Sequence, residues 1–253
     1  MKKKLIAILA CRNNGSRLYA KPLQKLNNEI NILDYILALI SKTPVISETI
    51  LAISDNVENL IYKDIAKKKG LKYYFGSDLD VLGRLVMGIK KTKATDVFRV
   101  TTESPFIHYE HIKKVWKMHI ENNYDLSIFS NNVDGMGFEI FKSDALIKSH
   151  KYGKKKHKSE LCDLYIRENL DDFRVKYFTT NIIKKNYRLT VDNPEDLVLC
   201  KKVFNNLFKK KEIIPSRKII NFLKKNKKEV NLTRKYISKS KSINNLWKNV
   251  KTI

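Results

Sequence analysis

The amino-acid sequence predicts an α/β fold in which helices cover a mostly parallel sheet. Short apolar runs of strand length, rich in β-branched and aromatic residues, recur along the 253-residue chain. Segments of helical period separate them, the alternation expected of a sheet covered on both faces. A hydrophobic content of 43% suffices for one large core or two modest ones, and the composition is not that of a disordered chain.

The first run, LIAILA, follows three lysines and runs into Cys11, so it also resembles the start of a secretory leader. A leader needs a longer apolar region and neutral surroundings at its cleavage site, whereas Arg12, Arg17 and Lys21 follow at once. A buried first strand entering a basic loop is the better reading. ETILAIS (48–54), LKYYF (71–75), DVFRVT (96–101), YDLSIFS (124–130) and RVKYF (174–178) are the further strand candidates. Asn56 is expected to cap a helix with Val57, Leu60, Ile61 and Ile65 on one face, stopped by Gly70. Asp80 to Lys93 and His111 to Glu121 repeat the helical pattern. In DNPEDLVLCKKVF, Asn193 stands at an N-cap, Pro194 at the first helical position and two acids in the first turn.

The segment 131–160 breaks the alternation with three glycines and a Lys/His-rich stretch, and is expected to lie over one edge of the sheet as an excursion. The three cysteines lack metal-ligand or C-x-x-C spacing and fit reduced thiols in a cytoplasm. No stretch is apolar for the ~18 residues that a membrane span requires.

The net charge of +25 attracts anions generally, and residues 209–253 hold fifteen Lys or Arg against two Glu. Nucleic-acid binding by stacking would want a denser aromatic platform than Phe222, Tyr236 and Trp247 provide. Lysine as ordinary solvated surface explains the excess.

In open α/β sheets, ligands bind beyond the carboxyl ends of the strands, so the residues just after each strand matter most. After the first comes CRNNGSRLYAKPL, a turn with one glycine and three cations. Such a loop offers backbone N–H groups and fixed positive charge to a polyphosphate, yet the residues alone read equally as a solvated basic turn. It is neither a dinucleotide fingerprint nor a P-loop. In VFRVTTESPFI a strand ends in two threonines and Glu103 before Pro105, and in YRLTVDNPEDL a strand ends at Asp192 just before a capped helix. Two carboxylates at such places suit Mg²⁺, which takes hard oxygen ligands from one or two carboxylates and substrate phosphates.

Taken in order, these pieces resemble the cytidylyltransferases that make CMP-activated sugar acids, the CMP-keto-deoxy-octulosonate and CMP-sialate synthetase families. RNNGSRLYAKPL is similar to their first motif, A-R-x-x-S-T-R-L-P-G-K-P-L; GSDLDVLGRL, RVTTESPFIHYEHI, FEIF and RLTVDNPEDL resemble later ones. The match is closest to the spore-coat polysaccharide cytidylyltransferase-like branch and covers residues 4–235.

The resemblance implies a three-layer, Rossmann-like nucleotidyltransferase fold in a single domain over residues 1–235 with a basic tail over 236–253, the segment 131–160 as an acceptor or dimer excursion, CTP as substrate, an acidic sugar as acceptor, Mg²⁺ as cofactor and often a homodimer. Arg12, Ser16, Arg17 and Lys21 match the triphosphate loop, while Glu103 and Asp192 fall on the metal carboxylates. Ser54, Asp55, Ser77 and Arg84 are candidates for base and ribose contacts, and Glu139 and Glu160 for the acceptor side. Three departures stand out: Tyr19-Ala20 replaces Pro-Gly before the lysine, Glu103 replaces Asp, and KSELC carries Leu161 where His is usual.

Two other classes remain open on the residues. Asp78 and Asp80 in DLD could form the metal motif of a glycosyltransferase using a sugar nucleotide, although a helix-capping role suits their position better. A basic, non-catalytic binding protein would use the tail. HYEH at 108–111 lacks the third ligand of a zinc site and reads as a helix start.

Overall fold

A computed structural model describes residues 3–130, 133–180, 187–210 and 212–237. Seven strands form one sheet: β1 (Leu5–Cys11), β2 (Ile46–Ser54), β3 (Lys72–Gly76), β4 (Asp96–Arg99), β5 (Leu126–Phe129), β7 (Phe138–Lys142) and β8 (Val175–Phe178). Their order is β3-β2-β1-β4-β7-β5-β8, with β7 antiparallel to both its neighbours and the remaining pairs parallel. The LIAILA run is thus a central strand, with Leu5 to Leu9 fully buried.

Strand alternation divides the core. Leu5, Ala7, Leu9 and Cys11 face one layer of helices, α1 (Ile32–Ser41), α2 (Leu60–Lys68), α4 (Ile112–Glu121), α7 (Pro194–Leu207) and α8 (Ser216–Lys225). Ile6 and Ile8 face the other, α3 (Val81–Thr92), α5 (Ser143–Tyr152) and α6 (Leu164–Glu168). The short α9 (Lys227–Asn231) follows α8. Caps fix the helix starts: Asp80 accepts the Gly83 amide at 2.7 Å, and Asp196 reaches back to the Asn193 amide at 2.9 Å. Helix α1 has no counterpart among the predicted elements. ILDYILALIS is apolar nearly all round, so its period is hidden, and Asn31 capping the Asp34 amide at 2.7 Å marks its start.

Three expectations are corrected. In the helix after Asn56 the buried residues are Tyr62 and Ala66, whereas Val57, Leu60 and Ile61 are exposed. Polar contacts to the first loop, made by Asn59 and Tyr62, set that orientation. Next, the segment 131–160 does not simply lie over a sheet edge: its Phe138–Lys142 portion is inserted between β4 and β5, and this antiparallel insertion breaks the alternation. Last, the strand before Asp192 is only β9 (Tyr187–Arg188), paired with β6 (Val133–Asp134) in a separate two-stranded sheet. Beyond it, the Val191 amide turns to the Glu103 carbonyl at 3.0 Å.

Among the described residues no helix is long and apolar enough to cross a membrane. The three cysteines are free and buried. Trp247 and the tail from residue 238 lie outside the described residues.

Candidate active site

The chain leaves β1 toward β2 on one side and later returns to β4 on the other, so the loops after β1 and β4 meet at the topological switch point of the sheet. The loop after β1 is held from below. Asn59 Oδ1 accepts the Asn13 amide at 2.7 Å, and the buried Tyr62 hydroxyl donates to Asn13 Oδ1 at 2.7 Å. The Ala20 amide closes the loop on the Asn13 carbonyl at 2.7 Å. Ala20 itself is left-handed, with φ 48°, the conformation glycine adopts most freely; this explains locally why Gly is usual in the motif that Tyr19-Ala20 replaces. Ser16 and Arg17 are exposed, and Lys21 is half-buried at the loop's end.

Facing the loop, Thr102 ties the β4 segment to β1 by donating to the Ala10 carbonyl at 3.1 Å. The bond between Val191 and Glu103 then brings Asp192 beside it. Lys21 Nζ lies 2.6 Å from Asp192 Oδ1, Arg17 reaches the same oxygen at 3.5 Å, and Arg188 donates to Oδ2 at 2.6 Å. Burial alone would raise Asp192, but Lys21 and Arg188 hold its carboxyl below the usual range.

Glu103 is different: among the described residues its carboxylate makes no ion pair and accepts no hydrogen bond. Burial pushes it up to about 7 against the pull of Lys21, with the negative fields of Asp192 and Glu160 adding to the rise. A carboxylate costly to charge, beside a second one, is a donor set that a hard divalent cation would relieve. No group of three or more His, Cys, Asp or Glu suited to a metal occurs among the described residues, so any Mg²⁺ here would rely on this pair and on substrate oxygens.

Two connected cavities open over these residues, of about 200 Å³ and about 510 Å³. The smaller is lined by the β1 loop, Arg84, Glu103 and Asp192. The larger runs past Glu139, Asp163, Tyr177 and Tyr236. Arg17, Arg99, Glu103, Glu160 and Asp192 line both. Glu139 pairs with Arg99 at 2.7 Å, directly across β7 and β4, while Arg99 also donates to the Glu160 carbonyl at 2.6 Å. Glu160 pairs in turn with Arg12.

The structure therefore brings together Arg12, Ser16, Arg17, Lys21, Arg84, Glu103, Glu139, Glu160 and Asp192 around the joined cavities. Ser54, Asp55 and Ser77 are not among the lining residues. Ser54 is buried and donates to Asp78 at 2.7 Å; Asp55 and Ser77 are exposed. Arg84 is buried beneath the cavity, donating to the carbonyls of Cys11 at 3.3 Å and Ala52 at 3.0 Å. Asp80 both caps α3 and pairs with His150 at 2.8 Å, so both DLD carboxylates have structural partners. In HYEH, His111 stacks on Phe129 at 4.9 Å and His108 pairs with Glu110 at 3.2 Å.

Sequence reading missed Arg99 and Arg188. Each is a lone arginine in a short apolar strand, a pattern that signals a buried charge in need of a partner. Arg188 finds three, Asp134 at 2.7 Å, Asp192 at 2.6 Å and Asp196 at 2.9 Å, and the Tyr236 ring lies 6.0 Å from its guanidinium.

An uncharacterised protein of Methanocaldococcus jannaschii is 30% identical over 241 residues, covering 94% of this chain and 97% of its own. The spore coat polysaccharide biosynthesis protein SpsF of Bacillus subtilis is 24% identical over 229 residues, covering 88% and 95%. Among solved structures, a cytidylyltransferase from Leptospira borgpetersenii superposes with a TM-score of 0.81 at 22% identity, over 90% of this chain and 97% of that one. The cytidylyltransferase family model matches residues 6–243, and with that match over the sheet and both cavities the chain belongs to the cytidylyltransferase family.

Proposed function

We propose that the protein transfers CMP from CTP to an acidic sugar with release of pyrophosphate, in the cytoplasmic phase of surface polysaccharide or glycan biosynthesis. The observation that carries the reading is the junction of the two cavities. There a loop bearing Arg12, Arg17 and Lys21 faces Glu103 and Asp192, and a second, larger cavity adjoins at the same residues. A nucleotide would occupy the smaller space and the acceptor the larger.

Phosphoryl-type transfer asks the protein chiefly for positioning and charge stabilisation. Arg12, Ser16, Arg17 and Lys21 would hold the β and γ phosphates, with arginines giving planar contact and lysine a point charge. Glu103 and Asp192 fit a divalent cation and would hold Mg²⁺, which when bound neutralises charge gathering at the α-phosphate. Arg84 braces the carboxyl ends of β1 and β2 under the nucleotide. Arg17 and Arg99 are the cations that an acceptor carboxylate would meet first, and Glu139 and Glu160 suit its hydroxyls. The motif resemblance also supports a homodimer as the working unit.

A matrix of nucleotides against acceptors, read by pyrophosphate release, tests the proposal. Release requiring both CTP and a sugar acid is the expected result. Consumption of a UDP- or GDP-sugar, or silence across the matrix from folded protein, would overturn it.

A further inference from the structure

We infer that Lys21 has a second task in the nucleotide-free protein: its ammonium stands in for a divalent cation on Asp192, so that cation and nucleotide bind as a coupled pair. The inference rests on the assignment of Glu103 and Asp192 as the cation's ligands.

The cations on Asp192 are not equivalent. Arg188 on Oδ2 is fixed, since Asp134 and Asp196 grip the same guanidinium and only 7% of its side chain is exposed. Lys21 on Oδ1 is held by that one carboxylate among the described residues, through a flexible stem and at a cavity wall. Glu103 lines the same cavity as Lys21 and Asp192, so both proposed cation ligands face the space beside this ammonium. Arg17, at 3.5 Å and more than half exposed, supports the same oxygen loosely.

Two cations repel strongly at such range in a partly desolvated site, so a divalent ion approaching the free protein meets an occupied oxygen. A triphosphate in the β1 loop changes this, because it offers Lys21 a denser negative charge on the other side. Lys21 then leaves Oδ1, while Arg188 keeps Asp192 in place by Oδ2. The divalent ion and the triphosphate thereby promote each other's binding, and by linkage the coupling is reciprocal.

The test uses Mn²⁺ as the probe, followed by loss of its free electron-paramagnetic-resonance signal in nucleotide-free, full-length protein. Wild type is expected to bind weakly. Lys21→Met and Lys21→Gln should each bind at least about tenfold tighter, a difference of about 1.4 kcal/mol. Adding Asp192→Asn should abolish that gain. Thermal melts identify which of the two variants is folded. Variants that fold yet bind Mn²⁺ no tighter than wild type overturn the inference, as does tight binding by wild type without nucleotide. The underlying site assignment has its own readout, the enhancement of water-proton relaxation when wild type is added to Mn²⁺–CTP. Its absence would remove the assignment and the inference together, whereas enhancement with an unchanged Lys21 variant removes the inference alone.

Discussion

The Val191 amide donates to the Glu103 carbonyl at 3.0 Å, and this backbone bond fastens the loop after β4 to the segment leading into α7. It joins residues far apart in sequence without using either side chain, so the Glu103 carboxylate stays available beside Asp192. Thr102 binds the same loop to the end of β1. The two proposed cation ligands are thus set by main-chain geometry before any ligand arrives, the pre-organisation that transfer chemistry requires.

Replacing Glu103 by Gln keeps its size and removes its charge. Turnover with CTP should fall by at least ~10²-fold, comparable to losing one electrostatic element of transition-state stabilisation. Glu103→Asp should do much less harm, and added Mg²⁺ should partly rescue Gln if affinity is what was lost. Steady-state kinetics at limiting Mg²⁺ decide it; a Gln variant equal to the parent would reduce Glu103 to a loop acid.

Gly15 is expected to tolerate no side chain. A Cβ there would stand 2.5 Å from the Leu18 carbonyl oxygen, which is backbone of the same loop and cannot swing aside. Gly15→Ala should therefore weaken CTP at least ~10-fold by displacing Arg17 and Lys21, with little loss of global stability because the loop is peripheral. Calorimetric titration beside a thermal melt separates the two effects.

Much of this site was legible because its landmarks are local. LIAILA could be assigned from its length and its basic flank, and the starts of α3 and α7 from Asp80, Asn193 and Pro194, since caps and prolines act within a few residues. The chain segment carrying Glu103 was likewise readable as a strand-to-loop exit, whereas the strand expected to end at Asp192 is only Tyr187–Arg188, four residues short of it. What escaped depended on distant partners. Val57, Leu60 and Ile61 have helical spacing, yet the side of α2 turned inward is the one whose Tyr62 meets Asn13. Arg188 becomes a hub only when Asp134, Asp192 and Asp196 are folded around it, and no periodicity announces that.

Tyr62→Phe tests the support under the loop. Losing the hydroxyl leaves buried Asn13 Oδ1 without its 2.7 Å donor, a defect of about 1–3 kcal/mol. For a chain of this size that corresponds to a melting temperature lowered by roughly 2–12 °C. CTP binding should weaken in parallel, because Asn13 also carries the amide and carbonyl that shape the loop. An unchanged melt would show that the hydroxyl contributes nothing to the loop's support.

Glu110 supplies a pH-dependent contribution away from the chemistry. From the turn before α4 its carboxylate accepts the Ser216 amide and hydroxyl, each at 2.7 Å, and so caps the start of α8. Burial would raise its pKa, but the adjacent His108 ring and the bonds from Ser216 prevail and bring it down to about 2. A folded-state value below the unfolded one means the contribution is present in full above about 4.5 and is lost as the pH falls through about 2. Because about a third of the side chain is exposed, solvent screening limits the effect to about 1 kcal/mol. Glu110→Gln should lower the melting temperature by about 2–4 °C at neutral pH. The gap between variant and wild type should narrow as the pH drops from about 4.5 toward 2, because wild type then loses the same charge. Melts across that range check the sign, and a gap that widened in acid would rule out a charged cap at α8.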